Sequence, residues 1–146
     1  MAIVNRRARH EYQILETFEA GMILLGPEVK SIRLGQASLS EAHCIIRKDH
    51  ILLIGCHINP YKPAAMNNPS DPTRSRELLL NHKEIQRLMG KIKEKGLTVV
   101  PLKLYFNARN FVKLEIGLAR GKKAHDKRHD LKERDVARNL QRQYKV

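Results

Sequence analysis

His125 and His129 stand four residues apart, the spacing that places two metal ligands on one helix face, and they are the first place to look for chemistry. Six Lys and Arg lie between positions 120 and 132, so a bound cation is repelled there, and no Glu-His partner pattern accompanies the pair. His43-Cys44 and Cys56-His57 offer softer ligands, but without the close Cys pairing of a zinc site. Both cysteines read as reduced core or strand residues. Asp49, Asp71 and Asp126 fall in separate turns, which leaves no carboxylate pair for hydrolysis. The sequence has no nucleophile elbow, no phosphate-cradling glycine loop and no dinucleotide fingerprint. One enzymatic reading survives: His125 with Asp126 as a metal-free acid/base pair of an RNA nuclease, which predicts that cleavage is lost on changing His125. The stronger expectation is a protein that is not an enzyme and needs no metal or cofactor.

Binding a polyanion is the better use of these residues. The 146 residues carry 28 Lys and Arg against 15 Asp and Glu, a net charge of +13. The charge is uneven: residues 120–146 hold ten basic and four acidic side chains, residues 1–12 three and one, and the remaining 107 fifteen and ten. A mildly basic body, residues 1–119, thus precedes a strongly basic tail, residues 120–146. Each Lys or Arg that neutralises a phosphate releases a counterion, so such a tail gives salt-dependent affinity without base specificity. Its like charges repel, and it is expected to be disordered when free. Asp130-Leu131-Lys132-Glu133 supplies a capping box, the pairs Asp130/Arg134 and Asp135/Arg138 support a helix, and Val136, Leu140 and Tyr144 line one narrow face. A helix this short is marginal alone and orders on binding. The bland alternative is a solvated charge run. No apolar run approaches the roughly 18–20 residues that span a bilayer, and the first residues lack the apolar segment of a signal peptide, so the expectation is a soluble chain that stays inside the cell.

The body must position whatever binds. Residues 12–25 read as a long strand with a bulge or bend at Gly21, and residues 26–35 as a short helix with Pro27 at its start and Gly35 after its last turn. Residues 42–47 and 50–58 form a hairpin about Lys48-Asp49, and the proline-punctuated residues 59–76 a long loop. Asn81 and Glu84 make a capping box, followed by the stripe Ile85, Leu88, Met89 and Ile92, which ends before Gly96. Residues 97–106 and 111–119 form a second hairpin, in which Val112, Leu114, Ile116 and Leu118 share one face and Lys113, Glu115 and Gly117 the other. About five hairpin-connected strands with two interspersed helices exclude a doubly wound parallel sheet and fit a small closed or partly open barrel with a capping helix.

Six segments then converge. They are Asn5-Arg6-Arg7-Ala8-Arg9-His10-Glu11-Tyr12, Phe18-Glu19-Ala20-Gly21, Glu28-Val29-Lys30-Ser31-Ile32-Arg33, Asp71-Pro72-Thr73-Arg74, Leu78-Leu79-Leu80-Asn81 and Gly121-Lys122-Lys123-Ala124-His125-Asp126-Lys127-Arg128. Together, and in this order, they resemble the small protein B (SsrA-binding protein) family of bacteria over essentially the whole chain. The resemblance implies a mainly β, OB-like small barrel with two to three helices and a basic C-terminal tail. It implies binding to the tRNA-like domain of transfer-messenger RNA and its delivery to stalled ribosomes for trans-translation. In that family the body stands in for an anticodon stem, and the tail enters the empty message channel at the small-subunit decoding centre as a helix. The implied setting is the cytoplasm, with no membrane and a monomer in the RNA complex.

Residue by residue, the resemblance implies transfer-messenger RNA contacts at Glu19, Leu79, Asn81 and Lys113, with Arg6, Arg7, Arg9, His10, Lys30 and Arg33 as further contacts. Lys122, Lys123, His125, Asp126, Lys127 and Arg128 match the segment that acts on the ribosome. Periodicity independently turns Lys113 away from the apolar face, where a phosphate can reach it; otherwise it is a solvated strand lysine. A generic OB-type ribosomal or single-stranded RNA-binding protein is the other reading. It requires stacking aromatics on the barrel face, and the whole chain holds four Tyr and three Phe.

Overall fold

The computed structural model describes residues 2–64, 67–69 and 71–121. In chain order these form β1 (Ala2–Val4), α1 (Arg6–Glu11), β2 (Tyr12–Met22), α2 (Gly26–Arg33), β3 (Ala37–Ser38), β4 (His43–Arg47), β5 (His50–Ile54), β6 (His57–Ile58), β7 (Arg76–Leu79), α3 (His82–Lys95), β8 (Thr98–Phe106) and β9 (Val112–Gly121). An antiparallel ladder runs β1-β8-β9-β2-β7-β5-β4, and β3 pairs with β6 apart from it. Among the described residues no hydrogen-bonded pair joins the two ends of the ladder. The sheet curls until β4 lies against β8, which makes the expected barrel a partly open one.

The curl encloses the main core, where Phe18 and Ala20 of β2, Leu53 of β5, Leu104 of β8, and Leu114 and Ile116 of β9 meet Ile32 of α2 and Leu88 of α3. A second, smaller core lies on the outer face, where Ala8 of α1 covers Val100, Leu102 and Ala119, flanked by Tyr12 and Ile14. One strand serves both cores because its register shifts between Ile14 and Glu16, and β8 shifts likewise between Pro101 and Lys103. One extra residue inverts the alternation, so Ile14 points out under α1 while Phe18 and Ala20 point in. Gly117 makes the crossing fit: a Cβ there would lie 2.9 Å from Leu102 Cδ1 and 3.0 Å from Ile14 Cγ2.

Most expected elements lie where the pattern put them. Lys48 and Asp49 take φ of 48° and 69°, the two positive values of a tight hairpin turn. Asn81 caps α3 by accepting from the Lys83 N–H at 2.9 Å, and Gly96 closes it at φ 63°. Cys44 and Cys56 are free and buried, as expected. The irregularity of β2 is not at Gly21, which pairs in register with Leu79 and Lys113; it is five or more residues earlier, where the strand passes from one core to the other. The single strand expected over residues 50–58 is interrupted at Gly55, whose φ of 76° and approach to the Glu41 carbonyl leave no room for a side chain. β9 continues to Gly121, two residues beyond the expected end of the body, because Arg120 and Gly121 still pair with Gln13 and Tyr12.

Residues 59–76 were expected as loop throughout. The described residues among them are tied down, and Arg76 already belongs to β7. Asn68 Nδ2 donates to the Tyr61 and Ala64 carbonyls at 2.9 and 3.0 Å, and Asp71 Oδ1 accepts from the Thr73 N–H and hydroxyl, both at 2.9 Å. The loop then hands two arginines to Glu28 at the start of α2. Arg74 donates to Glu28 Oε1 at 2.6 Å, and Arg76 donates to Glu28 Oε2 at 2.7 Å, to the Cys56 carbonyl at 2.6 Å and to the Pro72 carbonyl at 2.9 Å. Arg76 is 0% exposed and Glu28 2%.

Burial alone would push the Glu28 carboxyl up, but hydrogen bonds from Arg74, the Leu25 N–H and Arg76 outweigh it and hold the group below its ordinary range. A depressed folded value means that the unfolded chain takes up this proton first. The stabilisation is therefore complete above the ordinary carboxylate range and lost as pH falls through the depressed value. We expect Glu28→Gln to flatten the acid limb of stability against pH in denaturant titrations; an unchanged limb would assign acid sensitivity to other carboxylates.

Candidate nucleic-acid interface

α1 covers only one end of the outer sheet face. Beyond it, Leu79 of β7, Gly21 of β2, Lys113 of β9, Tyr105 of β8 and Ala2 of β1 fall in one row of cross-strand partners. The neighbouring row is Glu19, Glu115, Lys103 and Val4. Three residues far apart in sequence, Glu19, Leu79 and Lys113, are thereby gathered on one solvent-facing patch. The register that buries Leu114 and Ile116 is what turns Lys113 outward.

The patch has a defined geometry. A Cβ placed on Gly21 would lie 3.5 Å from Leu79 Cβ and 3.8 Å from Lys113 Nζ, so the lysine amine extends over the bare glycine backbone toward the leucine. Lys113 has no ion-pair partner among the described residues. The Glu19 carboxylate accepts a hydrogen bond from the Tyr105 hydroxyl. Lys103 Nζ stands 5.2 Å from the centroid of that ring. Leu79 is 52% exposed. Burial, the bond to Glu19 and the charges of Glu19 and Glu115 push the Tyr105 hydroxyl up to about 12, so it stays a proton donor at neutral pH. A strand lysine of this kind can reach a phosphate, a fixed carboxylate can accept from a base amino group or a ribose 2′-hydroxyl, and an exposed leucine can lie against a sugar or base face.

The other expected contacts distribute around this patch. Arg9 reaches it from α1, pairing with Glu115 at 3.2 Å. Arg33 lies 4.4 Å from the Phe106 ring centroid and lines a recess of about 230 Å³ that Tyr105 also borders. Asn81 follows Leu79 by two residues; its Oδ1 is used in capping, and its Nδ2 makes no hydrogen bond among the described residues. Four expected contacts are not brought onto the Lys113 row. Lys30 stands 5.9 Å from the Tyr61 ring, Arg7 bridges Glu11 at 3.2 Å and Glu41 at 3.3 Å, and Arg6 and His10 project from the exposed side of α1. Lys122, Lys123, His125, Asp126, Lys127 and Arg128 lie outside the described residues, as does the expected tail helix.

Sequence reading missed Tyr105, although pairing outward from the turn at residues 107–110 places it opposite Lys113. Glu28 stands where the sequence places it, at the positive start of α2, but its burial against Arg74 and Arg76 had no sequence signal, and Arg74 was read only as part of a motif.

Replacing Gly21 tests the geometry. Valine suits a strand, and the neighbouring Leu79 contact at 3.5 Å is ordinary, so Gly21→Val is expected to keep the fold. Its γ-methyls occupy the path of Lys113 Nζ, and RNA affinity is expected to fall on the order of tenfold while the denaturation midpoint stays put. Undiminished affinity would mean that Lys113 does not act from this position.

Comparison with known proteins gives the patch a context. The family model described as SmpB protein matches residues 2–146. The chain belongs to the SmpB family. The SsrA-binding protein of Chlorobaculum tepidum is 55% identical over 140 residues, covering 96% of this chain and 88% of the relative. That of Microcystis aeruginosa is 51% identical over 141 residues, covering 97% and 91%. A solved chain described as "tmRNA-SmpB: a journey to the center of the bacterial ribosome" superposes with a TM-score of 0.71 at 47% identity, covering 94% of this chain and 95% of that one. The patch of Glu19, Leu79 and Lys113 therefore sits on an SmpB body whose relatives carry the name SsrA-binding.

Proposed function

We propose that the chain binds transfer-messenger RNA through its tRNA-like domain and delivers it to stalled ribosomes for trans-translation. The observation that carries the reading is the row joining Leu79, Gly21 and Lys113, with Glu19 beside it, on an otherwise solvated sheet face. Recognition is by backbone and shape: Lys113 meets phosphate, Glu19 accepts from a base edge or a 2′-hydroxyl, Leu79 packs on the sugar face, and Arg9, Arg33 and Asn81 extend the footprint. Arg6, Arg7, His10 and Lys30 add charge around it. The body stands where an anticodon stem would be. The tail, with Lys122, Lys123, His125, Asp126, Lys127 and Arg128, acts at the decoding centre and in the message channel, and a message still in the channel excludes it by volume and charge. No catalysis by the protein is required.

The test is tagging of a nascent peptide in a purified translation system stalled on a message without a stop codon. Wild-type protein with transfer-messenger RNA should restore tagging, and Asp126→Ala should bind the RNA normally yet block tagging. Loss of RNA binding in Asp126→Ala, or full tagging by it, would contradict this division between body and tail.

A further inference from the structure

Glu19 is exposed, and a carboxylate on a flexible side chain there would sample many rotamers and meet RNA at an entropic cost. It is held instead. Its partner is the Tyr105 hydroxyl, which reaches across β9 from β8, and β9 contributes Lys113 and Glu115 between them. Tyr105 is itself placed by its neighbours: its backbone pairs with Lys113 and with Ala2, and Lys103 Nζ lies over its ring.

We propose that Tyr105 is a positioning residue for RNA binding, aiming the Glu19 carboxylate beside Lys113 so that one oxygen is committed to the tyrosine and the other faces the RNA. This rests on the reading of Glu19 as an RNA contact given above. The hydroxyl donates one hydrogen bond and leaves the carboxylate charged, so Glu19 keeps its capacity to accept from a base amino group or a 2′-hydroxyl. The free oxygen, held in place, selects donor over acceptor groups on the RNA, because an acceptor brought against it is repelled. Tyr105 thus contributes to discrimination as well as affinity, and it does so without touching phosphate.

The experiment is a double-mutant cycle on the full-length chain, using Tyr105→Phe, Glu19→Ala and the double variant. Binding to the tRNA-like domain of transfer-messenger RNA is measured across a salt series with unrelated tRNA as competitor. Tyr105→Phe removes one oxygen and should weaken binding roughly tenfold, with the salt slope unchanged because no phosphate contact is lost. In the Glu19→Ala background the same change should do nothing, since the group it positions is gone. Lys113→Ala serves as the contrast and should reduce the slope by about one phosphate's worth. If Glu19→Ala weakens binding but Tyr105→Phe does not, or if the two losses add, the positioning role is wrong. If Glu19→Ala itself binds like wild type, the reading of Glu19 fails and takes this inference with it. A lowered melting temperature in Tyr105→Phe with an additive loss would assign the residue to packing and overturn the proposal.

Discussion

Arg76→Ala is expected to destabilise the fold by about 3–5 kcal/mol, because it removes one partner of a buried ion pair and leaves the other in place. The guanidinium is fully enclosed, and its bonds to Glu28, the Cys56 carbonyl and the Pro72 carbonyl run from 2.6 to 3.0 Å. Without it, Glu28 keeps Arg74, whose side chain is 30% exposed, the Cys56 carbonyl loses its arginine donor, and the Pro72 carbonyl is left with the Ile58 N–H at 3.1 Å. The loss falls on three elements at once, since Arg76 opens β7, Glu28 opens α2, and the carbonyls belong to the segments that flank β6. A loss of that size is a large share of the 5–15 kcal/mol that a domain has in total. Arg76→Lys keeps the charge but cannot serve three acceptors in a planar fork, so it should fall between wild type and alanine. Urea denaturation at neutral pH measures both. A change under about 1 kcal/mol for Arg76→Ala would mean that the pair and its carbonyls are hydrated in solution, where exposed pairs contribute little.

Lys113→Glu is expected to produce the largest loss of RNA affinity from a single substitution in the body, on the order of a hundredfold at moderate salt. Alanine removes one favourable phosphate contact, whereas glutamate also repels the phosphate and joins Glu19 and Glu115, which are already neighbours on the face. The fold should not suffer. Lys113 is outside both cores and pairs with no carboxylate among the described residues, so thermal unfolding of the variant should match wild type within a degree or two. The effect should shrink as salt rises, because screening weakens both the lost attraction and the new repulsion. Filter or fluorescence binding at two ionic strengths, with melting curves on the same preparations, checks the prediction. A reversal that leaves affinity intact would remove the sheet face from the interface.

What the sequence made legible followed from period and caps. The alternation in residues 112–118 gave both the core face of β9 and the outward position of Lys113, and Asn81 with Gly96 marked the ends of α3. α1 escaped because its six residues are too short to show a period, and because Asn5 is a buried cap: its Nδ2 donates to the Pro101 carbonyl at 2.8 Å and its Oδ1 accepts from the Ala8 N–H at 3.1 Å. The reading of Arg76 as loop failed for the opposite reason. Charged residues are read as solvated, and nothing local announces a carboxylate 48 residues away that makes burial tolerable. The register shift at Ile14 was equally hidden, since it answers to the second core, which exists only once α1 is in place. The association of Glu19 with Lys113 was available from the family resemblance and the hairpin sets Tyr105 opposite Lys113, but the bond from the Tyr105 hydroxyl to Glu19 depends on β2 lying on the other side of β9, a matter of tertiary pairing.

In this division of labour the body selects the RNA and the tail serves the ribosome. The most direct measurement compares the full-length chain with a version ending at Gly121, each binding the tRNA-like domain of transfer-messenger RNA across a salt series against unrelated tRNA. Both should select the transfer-messenger RNA domain over the competitor, and the shortened chain should differ mainly in a shallower salt slope. If selectivity disappears with the tail, or is absent from both proteins, the sheet face carrying Glu19, Leu79 and Lys113 is not the recognition surface.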